Sequence, residues 1–334
     1  MTIENSTLKQ PPPDSGFNSI NAGFDAVFQR GRLTLGLVVP IETYATSAVP
    51  AMERHIERAQ LAEALGFKAL WLRDVPFNVP SFGDAGQTLD PFVYLGALAM
   101  QTSRIALGVA SIILPLRHPA HVAKAAASAD VLSDGRVLLG IASGDRPEEY
   151  PAIGVPYEQR GALYRECYDY IRGMGECEPR VRNTLGEVGG GMDMLPKPAG
   201  ARLPLLVTGS SQQSIEWIAE HADGWMTYPR HAEVQSRFIE NFRALAQDST
   251  GEDKPVMEPL YVDLAPDPDC PPSPIHLGLR LGVNALREFL TSRQAIGVNH
   301  VALNLRFNRA GIETTLEQLA DHLLPEFNYQ GLNQ

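Results

Sequence analysis

The stretch from Arg104 to Asp145, RIALGVASIILPLRHPAHVAKAAASADVLSDGRVLLGIASGD, constrains the fold of this chain more than any other. Two short, mostly aliphatic runs, Ile105–Leu114 and Val137–Ala142, flank an alanine-rich segment of helical character. Apolar runs of this length, without polar alternation, read as strands buried on both faces. The pattern is strand, crossover helix, strand. Each run ends in small or charged residues suited to lining a ligand site.

The same unit recurs along the chain. Strands are expected at Arg32–Val39, Lys68–Leu72, Pro204–Thr208, Gly224–Tyr228, Met257–Leu264 and His300–Phe307, each followed by a helical pattern. Pro91 opens one of these helices, as a proline at the first helical position should. Eight strand-then-helix units predict an α/β fold, a (β/α)8 TIM barrel, whose active face lies at the C-terminal ends of the strands. A doubly wound open sheet would carry a glycine-rich turn after its first strand. That turn here is PIETYAT, without glycine. The expected organisation is an N-terminal arm over 1–31, one barrel domain over 32–325 and a tail over 326–334. The barrel carries an insertion, Gly175–Leu203, between the fourth helix and the fifth strand. Long insertions of this kind are usually functional, so it and the loop Val75–Asp90 are candidate lids.

Charge and composition narrow the function. A net charge of −11 and a pI near 5.2 argue against a nucleic-acid surface. No apolar run approaches a membrane span, and the first residues lack the pattern of a signal peptide. Cys167, Cys177 and Cys270 are odd in number and form no CxxC, which points to a reducing cytoplasm rather than a disulfide framework. No HExxH metal motif and no GxSxG nucleophile elbow occur, so no metal site is expected.

At the strand ends, Thr208-Gly209-Ser210-Ser211 joins the fifth strand to a helix. Free N–H groups at a helix start suit a phosphate, although a glycine turn with a plain serine cap has the same letters. Ser143-Gly144-Asp145 ends the fourth strand; Asp145 suits a general acid/base, a ligand for a hydroxyl or an N-cap. His118, beside Arg117, suits a neutral hydrogen-bonding or proton-transfer role, or simple loop packing.

These residues also carry a resemblance. The run GVASIILPLRHPAHVAKAAASADVLSDGRVLLGIASGD and the later PKPAGARLPLLVTGSSQQSIEWIAEHADGW resemble the bacterial luciferase-like superfamily of flavin- and deazaflavin-dependent barrel oxidoreductases. LPLRHP, SDGR, PKP, GSS and HADGW fall in that family's order over about residues 32–325. The resemblance implies FMN across the barrel mouth, its phosphate on Gly209, Ser210 and Ser211, with Ser143 and Gly144 on the other side. It implies a non-proline cis peptide at Ser111–Ile112 behind the ring, and Arg73, Asn304 or Arg306 at the ring's polar edge. It assigns His118 and Asp145 to catalysis. Many deazaflavin-dependent relatives have Asp-His after strand two; here Arg73-Asp74-Val75-Pro76 lacks the histidine, which favours FMN over deazaflavin. The implied activity is a monooxygenase that receives reduced FMN from a separate flavin reductase and oxidises a small organic substrate with O2. A homodimer is implied too. A deazaflavin-dependent dehydrogenase and a non-catalytic flavin-binding protein are the alternatives.

Overall fold

The first four strands are aliphatic and parallel in the computed structural model, which describes residues 16–328: β1 (Thr34–Val38), β2 (Ala69–Leu72), β3 (Ala106–Ile113) and β4 (Val137–Ala142). A short antiparallel hairpin, β5 (Val181–Asn183) and β6 (Gly186–Val188), comes next. β7 (Leu205–Thr208), β8 (Gly224–Met226) and β9 (Val256–Leu264) resume the parallel series. A second hairpin, β10 (Ser273–Ile275) and β11 (Gly278–Leu281), precedes the last barrel strand, β12 (His300–Asn304). β1 pairs with both β2 and β12, and β9 with both β8 and β12, so eight parallel strands close into a barrel. The (β/α)8 expectation holds.

The helices are α1 (Ala22–Val27), α2 (His55–Leu65), α3 (Pro91–Gln101), α4 (Pro119–Leu132), α5 (Glu149–Ile153), α6 (Arg160–Gly175), α7 (Ile215–His221), α8 (Ala232–Thr250), α9 (Val283–Ala295) and α10 (Ile312–Phe327). Pro91 is the first residue of α3, and the Asp90 carboxylate accepts the N–H groups of Phe92 and Val93. Two satisfied donors and a preset φ fix where that helix starts.

Strand alternation divides the apolar side chains between two cores. Leu35, Leu37, Leu70, Leu72, Val109 and Ile141 face the helices. Val38, Ala69, Trp71, Leu138, Leu206, Met226 and Met257 fill the barrel's interior. Trp71 is fully buried there, and three glycines make room for large neighbours. A Cβ on Gly108 would lie 2.2 Å from the Trp71 ring, one on Gly36 2.7 Å from the His300 ring, and one on Gly140 2.6 Å from the Met226 sulfur.

The Trp71 indole N–H donates to His300 Nε2 at 2.8 Å. His300 Nδ1 therefore carries the ring proton and faces Thr34 Oγ1 at 2.7 Å. The Thr34 hydroxyl in turn donates to the carbonyl of Val27 at 2.7 Å. Burial drives the His300 pKa down to about 3, so the ring is neutral and the chain runs in one direction.

Val27 belongs to α1, within the segment assigned to an N-terminal arm. Ile20, Phe24, Val27 and Phe28 pack into the interior core and close the N-terminal end of the barrel. Asn21 caps α1 and also donates to Asp130 and to the carbonyl of Val137. At the other end α10 continues through Phe327, into the segment assigned to a tail. Residues 1–15 and 329–334 lie outside the described residues.

The insertion takes a different position from the lid suggested by its length. The Asn183 amide donates to the Glu166 carbonyl on α6, and Lys124 of α4 donates to the Leu195 carbonyl. Ala199 N–H reaches Asp130, and Ala201 N–H reaches the carbonyl of Ile20 beside α1. It runs down the outer flank of α4 and α6 to the closed end, instead of over the mouth, because the acceptors it needs are on those helices.

Candidate active site

The open, C-terminal end of the barrel gathers most of the polar strand-end residues. β3 breaks its register with β4 there: Val109 faces Leu139, but Ile112 faces Ile141. Three steps on one strand against two on the other make a bulge. The non-proline cis peptide lies at Ala110–Ser111, one bond before the expected Ser111–Ile112. The extra residue turns Ser111 inward, where its hydroxyl meets that of Thr208 at the end of β7. Ile112 faces the helix layer and is fully buried in it, so its side chain does not reach the mouth.

After Thr208 the chain turns sharply. Gly209, Ser211 and Gln212 have φ of 57°, 46° and 60°, all left-handed. The serine hydroxyl of Ser211 donates to the Thr208 carbonyl at 2.7 Å and holds the turn. The N–H groups of Ser210, Ser211 and Gln212 meet no protein acceptor among the described residues. Consecutive unpaired amides in such a turn form a concavity that favours an anion. The helix does not follow directly on Ser211. It starts at Ile215, capped by Ser214.

Across the mouth, Ser143 is buried and its carbonyl accepts from the Tyr150 hydroxyl. Gly144 has φ of 79°, and a Cβ there would meet Ile113 and the Tyr150 oxygen at 2.8 Å. Asp145 is exposed and caps nothing: Glu148 occupies the N-cap of α5. Its charge reaches the Tyr228 phenol, whose pKa is raised by burial first and by Asp145 second, with Arg73 opposing. Asp145, Arg73 and Tyr228 thus converge on one region.

Sequence reasoning missed the residue at the centre of the rim, Asp84. Arg73 Nη1 reaches its carboxylate at 2.7 Å and Arg306 Nη1 at 3.0 Å. The Gly86 amide and the Tyr44 hydroxyl donate to the other oxygen at 2.9 and 3.3 Å. Burial opposes the charge on Asp84, but the two guanidiniums outweigh it and hold the carboxyl below its ordinary range. Arg306 also donates to the carbonyls of Ser47 and Gly83 at 3.0 Å, which stitches three mouth loops together. Asn304 accepts the Arg306 N–H at 3.0 Å and sets its start. The carboxylate next to Arg73 in sequence, Asp74, is not its partner; Asp74 takes Arg117 through two bonds of 2.7 and 2.9 Å.

Beside this cluster, Arg146 stacks on Phe82 at 4.0 Å and donates to the Asp84 carbonyl at 3.1 Å. Glu149 lies 4.0 Å from Arg146, fully buried, and burial raises its pKa. His118 is elsewhere. Its Nδ1 accepts the Ala120 N–H at the start of α4, and its Nε2 contacts the Leu185 carbonyl of the insertion at 3.1 Å. Both ring nitrogens are engaged outside the mouth cluster, and Nε2 carries the proton.

The family model of luciferase-like monooxygenases matches residues 33–268. An uncharacterized protein of Mycobacterium tuberculosis is 34% identical over 192 residues, 53% of this chain and 68% of that protein. The F420-dependent hydroxymycolic acid dehydrogenase of the same organism is 28% identical over 223 residues, 65% of this chain and 59% of its own. Among solved structures, the FMN complex of the oxygenating constituent of 3,6-diketocamphane monooxygenase from Pseudomonas putida superposes with a TM-score of 0.70, at 15% identity, over 89% of this chain and 99% of that one. An F420-dependent secondary alcohol dehydrogenase gives a TM-score of 0.71 at 17% identity, over 87% and 98%.

Proposed function

We propose that this chain, which belongs to the luciferase-like monooxygenase family, binds reduced FMN across the barrel mouth and oxidises a small organic substrate with O2. The observation that carries the reading is the run of unpaired amides at Ser210–Gln212, set beside the inward Ser111–Thr208 pair. These residues fit a flat group bearing a phosphate: an anion cradle at one side, a hydroxyl floor, and guanidinium donors at the rim. When bound, the flavin supplies the electrons that O2 requires, while the protein supplies position and exclusion of water.

In this reading Gly209–Ser211 hold the phosphate, with Ser143 and Gly144 opposite. Arg73, Asn304 and Arg306 form the polar edge, kept rigid by Asp84. The loop Val75–Asp90 carries Phe77 and Phe82 and shields the mouth from water. Asp145 moves a proton at its carboxylate, with Tyr228 beside it. His118 takes a positioning part instead, its ring tying α4 to the insertion. A separate reductase supplies reduced flavin; a neighbour that is itself only the oxygenating constituent of its enzyme supports that division. The exposed apolar residues Val93 and Met100 on α3 support a homodimer, which sedimentation at micromolar concentration tests.

The similarity to an F420-dependent dehydrogenase favours a second reading, a deazaflavin cofactor with no O2. Against it stands Val75 at the position after Asp74, where a histidine is expected. Parallel titrations with FMN, reduced FMN and the deazaflavin, read by fluorescence quenching, separate the two. O2 uptake by enzyme supplied with reduced FMN then tests the chemistry. Tighter binding of the deazaflavin, with no O2 uptake above a protein-free control, would overturn the FMN reading.

A further inference from the structure

β8 has only three residues, and two of them, Trp225 and Met226, pair with β9. Above that point β9 pairs with β11 through Tyr261–Leu264 instead. The chain leaving β8 and the β10–β11 hairpin therefore diverge, and a cleft of about 550 Å³ opens between them and α9. Its apolar walls include Pro259, Leu279 and Phe289, and its polar wall holds Arg230 and Arg293 with His231 and Ser292. Tyr228 and Tyr261 line it and also lie within electrostatic reach of Arg73 in the mouth.

Arg293 is 6% exposed. Its Nη2 donates to the Arg230 carbonyl at 2.6 Å, while its Nε and Nη1 donors have no hydrogen-bond partner. Behind it Glu258 stands 3.6 Å away, too far for a hydrogen bond, and its Oε1 is also unpaired. Arg230 donates to the neutral oxygens of Thr227, Tyr228 and Gln235. No carboxylate lines the cleft among the described residues. Two guanidiniums face one carboxyl, which leaves a positive balance in a mostly apolar space. Buried donors left unpaired are costly unless a ligand meets them.

We propose that this lateral cleft is a second small-molecule site, for a monoanion with a compact apolar body, such as an aromatic carboxylate. The apolar part packs between Leu279 and Phe289, and the carboxylate accepts from Arg293. The groups that would recognise the anion, Arg293, Leu279 and Phe289, are not among the mouth residues, so the test needs no cofactor.

Benzoate and its neutral isostere benzamide serve as probes, titrated into the full-length protein by isothermal calorimetry. Benzoate is expected to bind one to one, and benzamide at least tenfold more weakly. The double variant R293M/E258Q, which leaves no lone buried charge, and L279W, which fills the cleft from the hairpin, are each expected to weaken benzoate at least tenfold. No benzoate binding at millimolar concentration, equal binding of the two probes, or unchanged binding in both variants would overturn the proposal.

Discussion

Glu258→Gln is the substitution whose effect follows most directly from the structure. Glu258 is 1% exposed, and burial, only partly opposed by Arg293, lifts its carboxyl to about 7 from an ordinary 4.5. The folded protein therefore holds a proton there that the unfolded chain releases. Wherever the native state binds more protons, stability falls as pH rises. The contribution is present in full below about pH 4.5 and is lost as pH passes 7. Its size is ~3 kcal/mol, and most of it disappears between pH 5 and pH 8. Glutamine resembles the protonated acid and does not titrate. The stability of the variant, measured against wild type by urea unfolding with tryptophan fluorescence, should thus gain roughly 2–3 kcal/mol from pH 5 to pH 8. A difference that stays flat would refute the reasoning. So would a variant that loses ground at pH 8, since the Arg293 pair would then outweigh the cost of burying the charge.

Other substitutions probe the rest of the frame. Gly108→Ala puts a methyl 2.2 Å from the Trp71 ring and should cost about 3 kcal/mol or more, seen as a lower melting temperature. Combining it with Trp71→Phe should recover part of that loss, and strict additivity would count against the contact. Asp84→Asn leaves Arg73 and Arg306 without their counter-charge and should cost ~3 kcal/mol, with faster proteolysis in the Val75–Asp90 loop. Gly209→Ala forces a side chain into a left-handed turn, at about 1 kcal/mol, and should weaken FMN in the quenching titration more than it lowers stability. Asp145→Asn should spare FMN affinity and lower turnover; unchanged turnover would remove Asp145 from the proton-transfer role.

The barrel was legible because its strands are uninterrupted aliphatic runs, and burial on both faces leaves no other use for them. Much that the sequence flagged around them is structural. Arg136 of SDGR donates to the carbonyls of Ala99, Thr102, Ser133 and Ile105, fastening α3 to the start of β4. Asp223 of HADGW takes Arg172 and Arg202. Arg117 of LPLRHP spans Asp74 and Asp90. These charges clasp the barrel, so their order in the sequence marks the fold more than the chemistry. Asp84 escaped notice because it sits in a loop without periodicity and its partners come from two other loops. The hairpins escaped because β5, β6 and β10 have three residues each, too few to show alternation. Glu258 offered a signal, a lone carboxyl inside the apolar run MEPLYVDL. The bulge in β3 was legible only through the family resemblance, and one bond off, since its extra residue is another small one that leaves no break in the apolar run.

The packed interior has a consequence for traffic. Trp71, Leu206, Met226 and Met257 fill the barrel, and α1 stops its far end. The mouth is therefore a blind well without a back door. Whatever reacts there must return along the path it entered, so product and incoming substrate compete for one passage. Any shortcut has to cut sideways through the wall, which opens into a cleft between β8 and the β10–β11 hairpin.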